Sequence, residues 1–325
     1  MEETLGELGE FAVIEAVTAR LRQGPQVLLG PGDDAAVLAA PDRRVVASTD
    51  LLVEGRHFRR EWSTGYQVGR KAAAANLADI AAMGARPTAL LVGVGAPASL
   101  PVRWVLDLAD GLRDESEPVG ASVIGGDVVG ADTVTIAVTA LGDPAGREPV
   151  TRSGARPGDV VALAGRVGWS AAGLALLTHA SGGDLGEVAE SPLIRAHLQP
   201  EPPYPAGPVA AEHGATAMID VSDGLVQDLG HLAAASRVAI DVDPAALELT
   251  PLLAAAARCG VDPYDWVLAG GEDHALAATF PSDAGLPPGW RRIGRVLAGG
   301  GVTVGGRPYR GAGGWAHFGG DPPVP

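Results

Sequence analysis

The sequence predicts a two-domain chain in which each domain mixes α-helices with β-strands. Its 325 residues are long for one compact core, since a domain commonly holds about 100–200 residues. Apolar runs of strand length alternate with helical patterns along the chain. A segment rich in Gly, Pro and charge, residues 142–157, interrupts this alternation, so we place the domain boundary near Arg147. The predicted domains are residues 1–147 and 148–325.

In the first domain the pattern predicts five strands and two helices. The helix at residues 65–83 is the clearest, because it is rich in alanine and is followed by Gly84 as its stop. A second helix is predicted at residues 101–117. The strands are predicted at residues 27–29, 35–38, 45–49, 90–94 and 133–141.

In the second domain four strands alternate with three helices. The stretch between the first helix and Gly207 is predicted to lack regular structure, because it is rich in proline and polar residues. A glycine-rich hairpin is predicted around residues 299–301. The strands are predicted at residues 159–164, 217–221, 238–242 and 275–280, and the helices at residues 169–179, 224–236 and 251–259.

Composition excludes several classes of protein. Hydrophobic residues make up 46% of the chain, which argues against general disorder, while the 4% of aromatics predicts a core of closely packed backbones. The net charge of −15 and the single lysine, Lys71, argue against a nucleic-acid surface. The lone Cys259 excludes a disulfide framework and multi-cysteine metal sites. Because signal-peptide and membrane-span patterns do not occur, we expect a soluble, cytoplasmic protein.

Five short acidic segments are the strongest chemical signal. Each places a carboxylate just after a predicted strand or on a helix face, where α/β proteins collect ligand groups. Asn76 and Asp79 lie three apart, so both point from one helix face. Oxygen ligands that include Ser and Thr hydroxyls suit Mg²⁺ better than zinc. The segments are residues 32–34, 48–50, 76–79, 125–127 and 220–224.

Helix capping is the alternative role for these carboxylates, because a single Asp after a strand is commonly an N-cap or turn residue. Residues 220–223 could cap the helix predicted from Gly224. Adjacent Asp33 and Asp34 fit capping less well, since neighbouring carboxylates repel unless a cation neutralises them. Five such segments together favour metal binding.

The common nucleotide-binding motifs do not fit. Gly30-x-Gly32-x-x-Ala35 resembles the dinucleotide fingerprint, but it puts two aspartates where an anionic pyrophosphate would sit. The only lysine is not in a P-loop, and the protein-kinase signatures do not occur in the sequence. ATP chemistry in this chain would therefore need another scaffold.

Several segments together resemble the thiamine-monophosphate kinase family, in the superfamily of aminoimidazole ribonucleotide synthetase. They keep the family's order and cover nearly the whole chain. One departure is His274-Ala275-Leu276, where the family commonly has Tyr-Glu-Leu in the wall of the substrate pocket. The most specific segments are Asn76-Leu77-Ala78-Asp79-Ile80-Ala81-Ala82-Met83-Gly84-Ala85 and Thr151-Arg152-Ser153-Gly154-Ala155. The others are residues 32–36, 48–58, 125–127, 156–159, 219–225 and 270–273.

The resemblance implies ATP-dependent phosphorylation of thiamine monophosphate to thiamine diphosphate, with Mg²⁺ as cofactor. It implies magnesium ligands at Asp34, Ser48, Thr49, Asp50, Asp79, Asp127, Asp220 and Asp223. It implies ATP contacts at Gly126, Asp127, Arg152 and Ser222. It implies contacts to the thiamine substrate at His57, Glu272 and Trp315.

These residue types suit that chemistry. Both reacting groups are phosphates, so metal ions must screen their repulsion. The attacking phosphate oxygen is already ionised near neutral pH, so we expect no catalytic general base. Asp50, Asp127 and Arg152 would support the transfer through charge and position. Arg152 can hold phosphate oxygens through two donors, although it could instead pair with Asp159.

The substrate contacts also have simpler alternatives. His57 could lie on the surface at the end of a strand, and Glu272 could be a solvated turn residue. Trp315 follows Gly313-Gly314 and could serve packing alone. A substrate role for Glu272 would use its carboxylate to accept from an aminopyrimidine, and one for Trp315 would stack its indole on a flat ring.

The resemblance also implies the architecture and the partners. It implies two mixed α/β domains of the α+β class. Residues 1–147 would bind ATP and Mg²⁺ and pair across a homodimer, and residues 148–325 would complete the active-site cleft. The expected partners are ATP and thiamine monophosphate, with no nucleic acid and no membrane.

Other functions stay open on the sequence alone. Aminoimidazole ribonucleotide synthetase or another ATP-using member of the superfamily would share the fold, and a metal-dependent phosphohydrolase would share the carboxylates but need an activated water. A nucleotide sensor would bind ATP and Mg²⁺ without turnover. Selenophosphate synthetase requires a reactive cysteine or selenocysteine near its amino terminus, and the hydrogenase-maturation relative requires a carboxyl-terminal cysteine; this sequence has neither.

Overall fold

A computed structural model describes residues 3–31, 35–180, 190–309, 311 and 314. The chain divides into two compact units. The first is formed by residues 1–81 and 85–148, and the second by residues 82–84 and 149–325. The change from one unit to the next therefore follows Glu148, close to Arg147.

The first unit is built on a four-stranded sheet in the order β3-β6-β4-β5. Strands β4 and β5 are parallel, and the other neighbours are antiparallel. A small β1-β2 pair stands apart from this sheet. The helices are α1 (Leu5–Leu8), α2 (Glu10–Thr18), α3 (Gly65–Ala82) and α4 (Val102–Ser116). The strands are β1 (Val27–Leu29), β2 (Val37–Leu38), β3 (Val46–Val53), β4 (Arg86–Ala96), β5 (Ser122–Gly130) and β6 (Thr135–Asp143).

Helices α3 and α4 pack with their backbones almost in contact. A Cβ added at Gly69 would collide with the Leu108 carbonyl, and one added at Gly111 with the Tyr66 carbonyl. The alanines at residues 72–74 of α3 are fully buried. Small side chains let helices approach this closely, so the core is built by backbone packing, as the composition predicts.

The second unit holds a seven-stranded sheet in the order β13-β12-β9-β11-β7-β10-β8. Among the described strands of this sheet, only the β9-β12 pairing is parallel. The strands are β7 (Val160–Ala164), β8 (Ala217–Val221), β9 (Ala239–Val242), β10 (Ala275–Phe280), β11 (Trp290–Leu297), β12 (Gly301–Val304) and β13 (Arg307–Pro308). The helices are α5 (Trp169–Ala180), α6 (Pro192–Leu198), α7 (Ala206–Glu212), α8 (Leu225–Ser236), α9 (Leu253–Cys259) and α10 (Pro263–Ala269).

The α+β class is confirmed, and two predicted acidic loops prove to be strand segments. β3 continues three residues beyond Asp50, because its whole length pairs with β6. Gly125, Gly126 and Asp127 lie inside β5 and pair with β4. Ser48 and Thr49 lie in a strand as predicted, but the prediction that the carboxylates follow strands was wrong for Asp50 and for residues 125–127. Among the described residues, no helix is long and apolar enough to cross a membrane.

Candidate active site

Helix α3 lies along β3 and holds it through polar side chains. Strand alternation puts Ser48 and Asp50 on the face of β3 that meets α3. The Ser48 hydroxyl donates to Asp79 Oδ2 at 2.5 Å, and the Asp50 amide donates to Asn76 Oδ1 at 3.0 Å. Asn76 is fully buried, and its own amide group donates to the Ala72 carbonyl. Three predicted magnesium ligands thus lie on one side of the four-stranded sheet.

The Thr49 side chain points to the other face of this sheet. Its hydroxyl donates to the Val138 carbonyl at 3.0 Å and accepts from the Thr139 hydroxyl at 3.1 Å. Successive strand residues face opposite sides, so the Thr49 hydroxyl does not join the group formed by Ser48 and Asp79. The predicted ligands of the first unit are therefore divided between two faces.

Gly126 and Asp127 lie in β5, an edge strand. The pairing register runs from Asp127 across β4 and β6 to Leu51 on β3, which places Asp127 on the same face as Thr49. Strands β3 and β5 are the two edges of the sheet, about 14 Å apart across three strand spacings. The Asp127 carboxylate is exposed and accepts the next amide along the strand at 2.9 Å. A Cβ at Gly126 would collide with the Val92 carbonyl, so only glycine fits there.

His57 lies in the turn after β3 and is held at two points. Its Nδ1 accepts the Val53 N–H at 3.0 Å, and its carbonyl accepts from Lys71 Nζ at 3.0 Å. The following residue, Phe58, is buried and stacks on Trp104 with ring centroids 6.3 Å apart. Because Nδ1 accepts, the neutral imidazole carries its proton on Nε2 and presents a donor there.

In the second unit, β8 ends in an acidic turn before α8. Asp220 is buried, with its Oδ2 3.4 Å from Nδ1 of the buried His274. Ser222 and Asp223 follow and are half-buried. Asp228, in the first turn of α8, accepts with its Oδ2 the N–H groups of the two residues before the helix, Asp223 and Gly224, each at 3.0 Å. Within the described residues no side chain makes an N-cap hydrogen bond to α8, so capping does not account for the Asp220 and Asp223 carboxylates.

Asp228 is buried next to the carboxylates of this turn, and both burial and those charges raise its pKa. Burial raises the pKa of Asp228 to about 7, and the charges of Asp220 and Asp223 act in the same direction, against the two N–H donors. Such mutual repulsion marks a place where a bound cation is electrostatically favoured.

Arg152 is exposed in the segment that leads to β7. Its carbonyl accepts from the Ser236 hydroxyl at the end of α8 at 2.9 Å. Asp159, the alternative partner, instead accepts a nearby backbone amide at 2.9 Å and the Thr216 hydroxyl at 2.7 Å. Within the described residues the Arg152 guanidinium makes no ion pair, which leaves it able to meet an anionic ligand.

Glu272 lies in a loop, residues 270–274, whose backbone is unusual. Both Glu272 and His274 have positive φ, 63° and 51°, a conformation that non-glycine residues rarely adopt. The Glu272 amide donates to the Ser222 carbonyl at 2.7 Å, and the His274 amide to the Val221 carbonyl at 3.0 Å. Glu272 Oε2 lies 3.5 Å from His197 Nδ1. A predicted substrate residue and a predicted ATP residue are thus joined by a backbone hydrogen bond.

Asp273 fastens this loop to the start of α5. Its carboxylate accepts the Gly168 N–H at 2.5 Å and the Ser170 N–H at 2.8 Å. The Ser170 hydroxyl lies 2.9 Å from Nδ1 of His197, the residue next to the Glu272 carboxylate. Ser170 therefore contacts both Asp273 and His197. Burial raises the pKa of Asp273 to about 7, against the effect of the two N–H donors.

Asp34 and Trp315 lie outside the described residues. Over residues 3–31, 35–180 and 190–309, no group of three or more His, Cys, Asp or Glu is arranged to hold a metal ion. Mg²⁺ does not need such a cage, since it keeps several waters and is commonly bound by one or two carboxylates together with substrate phosphates. The oxygen-only side chains at the predicted positions fit this mode of binding.

Sequence reasoning missed polar residues that the structure places beside the predicted ones. Asp228 lies in the first turn of α8, where acidic residues favour the helix N-terminus, and that position was a usable signal. Lys71 is the only lysine and lies eight residues before Asp79, on one side of the same helix. The contacts of Asp273 and His197 join distant parts of the chain and left no local signal.

Known proteins match the chain closely in sequence. A family model described as AIR synthase related protein, N-terminal domain, matches residues 32–143. The thiamine-monophosphate kinase of Mycobacterium tuberculosis strain H37Rv is 52% identical over 319 residues, which are 97% of this chain and 93% of that protein.

Two solved structures have the same fold as this chain and are each 33% identical to it in sequence. The thiamine-monophosphate kinase of Stenotrophomonas maltophilia K279a matches with a TM-score of 0.79 and 33% identity, over 92% of this chain and 97% of that one. AaThiL complexed with AMPPCP and TMP matches with a TM-score of 0.77 and 33% identity, over 97% of this chain and 99% of that one. With this likeness over nearly its full length, the chain belongs to the thiamine-monophosphate kinase family.

Proposed function

We propose that this chain transfers the γ-phosphoryl group of ATP to the phosphate of thiamine monophosphate, giving thiamine diphosphate and ADP. The observation that carries the proposal is the likeness, at 33% identity over 97% of the chain, to AaThiL complexed with AMPPCP and TMP. AMPPCP is an ATP analogue, and we take TMP to be thiamine monophosphate. A relative that holds both molecules at once supports direct in-line transfer between them.

The proposed residues neutralise and position the phosphates. Bound Mg²⁺ would supply most of the charge neutralisation that phosphoryl transfer requires. An oxygen of the substrate phosphate would attack the γ-phosphorus, and the bond to the β–γ bridging oxygen would break. That attacking oxygen is already ionised, so no general base is assigned. The proposed magnesium ligands are Asp34, Ser48, Thr49, Asp50, Asp79, Asp127, Asp220 and Asp223.

The proposed ATP contacts are Gly126, Asp127, Arg152 and Ser222. Gly126 would contact ATP through its backbone, since a Cβ at this position would collide with the Val92 carbonyl. The exposed guanidinium of Arg152 can donate two hydrogen bonds to phosphate oxygens.

The proposed substrate contacts are His57, Glu272 and Trp315. The Nε2–H of His57 suits an anionic oxygen, and the Glu272 carboxylate can accept from the amino group of the pyrimidine. The Trp315 indole can stack on a flat or cationic ring.

Incubation with ATP, thiamine monophosphate and Mg²⁺ is expected to give thiamine diphosphate and ADP in equal amounts. EDTA is expected to stop turnover and added Mg²⁺ to restore it, because unscreened phosphates repel each other. Chromatographic quantification of both products checks this. Release of ADP without thiamine diphosphate would indicate a phosphohydrolase, and ATP binding without turnover would indicate a sensor.

We further propose that the chain forms a homodimer through the face of the four-stranded sheet that carries Thr49. Apolar side chains on that face are exposed, with Leu51 and Val129 each 54% exposed and Leu91 39%. Exposed apolar side chains on one sheet face are costly in water, and a second copy would cover them. The cytoplasmic location stays a prediction from the sequence.

Leu91→Asp is expected to convert the dimer into a monomer, because it places a charge in the middle of the proposed interface. Sedimentation equilibrium measures the mass in solution. Leu253→Asp, at a 53% exposed leucine at the start of α9, is the control and is expected to leave the mass unchanged. A Leu91→Asp variant with an unaltered dimeric mass would exclude this face.

A further inference from the structure

Ser236, the last residue of α8, joins this helix to the segment that carries Arg152. Its hydroxyl donates to the Arg152 carbonyl at 2.9 Å and accepts the N–H groups of Gly154 at 3.1 Å and Ala155 at 3.2 Å. A serine hydroxyl offers one donor and two acceptor positions. One side chain of α8 therefore uses its whole hydrogen-bonding capacity on the backbone of residues 152–155.

The same segment is also held from the side of β8. The Thr151 carbonyl accepts the Met218 N–H at 3.0 Å, and the Thr151 hydroxyl donates to the Ser153 carbonyl at 2.9 Å. Gly154 has a φ of 133°, and a Cβ at this position would collide with the Thr216 carbonyl. The segment thus lies close against the end of the sheet on one side, and Ser236 fixes it to the helix on the other.

The Arg152 side chain is exposed, although its backbone is held at several points. An arginine loses side-chain freedom when it binds a phosphate, and a mobile backbone would add to that entropic cost. A backbone that is fixed before the ligand arrives removes the added cost and sets the direction in which the guanidinium extends. This arrangement suits an arginine that must hold phosphate oxygens in a defined place.

We propose that Ser236 is a positioning residue for ATP, which it serves by fixing the backbone of residues 152–155 and so directing the Arg152 guanidinium at the phosphates of the nucleotide. The inference rests on the proposed function, because it takes Arg152 as an ATP contact. In this role Ser236 touches no reacting atom. Its loss lets the segment shift, and small displacements of a binding group reduce productive binding strongly.

Ser236→Ala is expected to weaken the binding of the ATP analogue AMPPCP in the presence of Mg²⁺ about tenfold, the size typical of one lost hydrogen bond to a charged group. The KM for thiamine monophosphate is expected to stay within about twofold, because Ser236 acts on the nucleotide side. Ser236→Thr keeps the hydroxyl and is expected to bind AMPPCP within about twofold of wild type. Isothermal titration calorimetry measures the Kd for AMPPCP, and steady-state kinetics measures the KM.

A double-mutant cycle with Arg152→Ala separates positioning from general support of the fold. If Ser236 acts through Arg152, adding Ser236→Ala to Arg152→Ala leaves the Kd for AMPPCP unchanged. A purely structural serine would give the same fold-change in both backgrounds, which overturns the inference. Should Ser236→Ala fail to fold, Ser236→Cys, which keeps the size but bonds weakly, takes its place in the same cycle.

Thr178→Ala is the matched control, since it also removes a hydroxyl near the end of a helix. The Thr178 hydroxyl donates to the Leu174 carbonyl of its own helix, α5, and its loss is expected to leave the Kd for AMPPCP unchanged. Because the cycle measures nucleotide binding, its result does not depend on which molecule accepts the phosphoryl group. If Arg152→Ala itself leaves that Kd unchanged, both the Arg152 assignment and this inference fall. If Arg152→Ala raises it and Ser236→Ala does not, only this inference falls.

Discussion

Replacing Asp50 with alanine is expected to lower kcat about 10²–10³-fold, the loss typical of removing one group that stabilises the transition-state charge. The fold is expected to survive, because the backbone of Asp50 makes contacts that hold β3 and that alanine keeps. Its amide donates to Asn76, and its strand pairing with Val138 uses main-chain groups, all of which alanine keeps. Turnover at saturating substrate, together with thermal unfolding by circular dichroism, measures both effects.

Asp127→Ala is expected to have an effect of similar size, since Asp127 lies at the opposite edge of the sheet and would meet the phosphates from there. Its carboxylate is exposed and contacts only its own strand among the described residues, so little stability depends on it. Asp132→Ala, five residues later and also exposed, removes the same charge outside the proposed site and is the control. Full activity in both Asp50→Ala and Asp127→Ala would overturn the metal assignment.

Elements with a strong local pattern were predicted well. The helix predicted at residues 65–83 is observed at Gly65–Ala82, and it ends before Gly84, whose φ of 70° favours glycine. Strand β5 was missed, because Gly125-Gly126-Asp127 favours a turn by composition. In the folded chain, β5 is held by its pairing with β4. Glycine has a low strand propensity, but the close approach of the Val92 backbone leaves no room for a side chain at Gly126.

Short helices in the proline-rich segments were also missed, although local signals were present. Helix α6 starts with Ser191 as N-cap followed by Pro192, and α10 starts with Asp262 followed by Pro263. Both match the preference for a capping residue followed by proline in the first turn. Proline commonly indicates a break in regular structure, but Pro192 and Pro263 each stand at the first position of a helix.

The proposed site was predictable in residue type but not in arrangement. The acidic residues were recognisable, yet the division of Ser48 and Thr49 between two faces depends on β3 continuing past Asp50. The contact between Ser48 and Asp79 depends on α3 lying over β3, which is tertiary structure. A capping role for Asp223 was a fair alternative, but no side chain makes the N-cap hydrogen bond of α8 within the described residues, and Asp228 instead accepts the N–H groups of Asp223 and Gly224.

Asp273→Ala is expected to lower the free energy of unfolding by about 3 kcal/mol, because it leaves two buried N–H groups at the start of α5 without an acceptor. Those donors belong to Gly168 and Ser170, and the Asp273 carboxylate accepts from both. The loop that carries Glu272 would also lose its anchor to α5, so the KM for thiamine monophosphate is expected to rise.

The loss of unfolding free energy in Asp273→Ala is expected to become smaller as the pH rises, because burial favours the protonated form of Asp273. Burial raises the pKa of Asp273 from its usual 3.8 to about 7, so the folded chain holds a proton that the unfolded chain releases. The stability from this group is therefore fully present below pH about 4 and is lost as the pH rises to about 7. The difference between wild type and Asp273→Ala should be larger at pH 5 than at pH 8.

Urea unfolding at pH 5, 6 and 8 measures this dependence, and Asp262→Ala is the matched control. Asp262 is an exposed N-cap that accepts a single N–H, from Tyr264 at 3.0 Å, so its loss should cost about 1 kcal/mol. A difference for Asp273→Ala that grows from pH 5 to pH 8 would mean that the carboxylate is stabilised in its charged form. The two N–H donors would then outweigh burial at the start of α5.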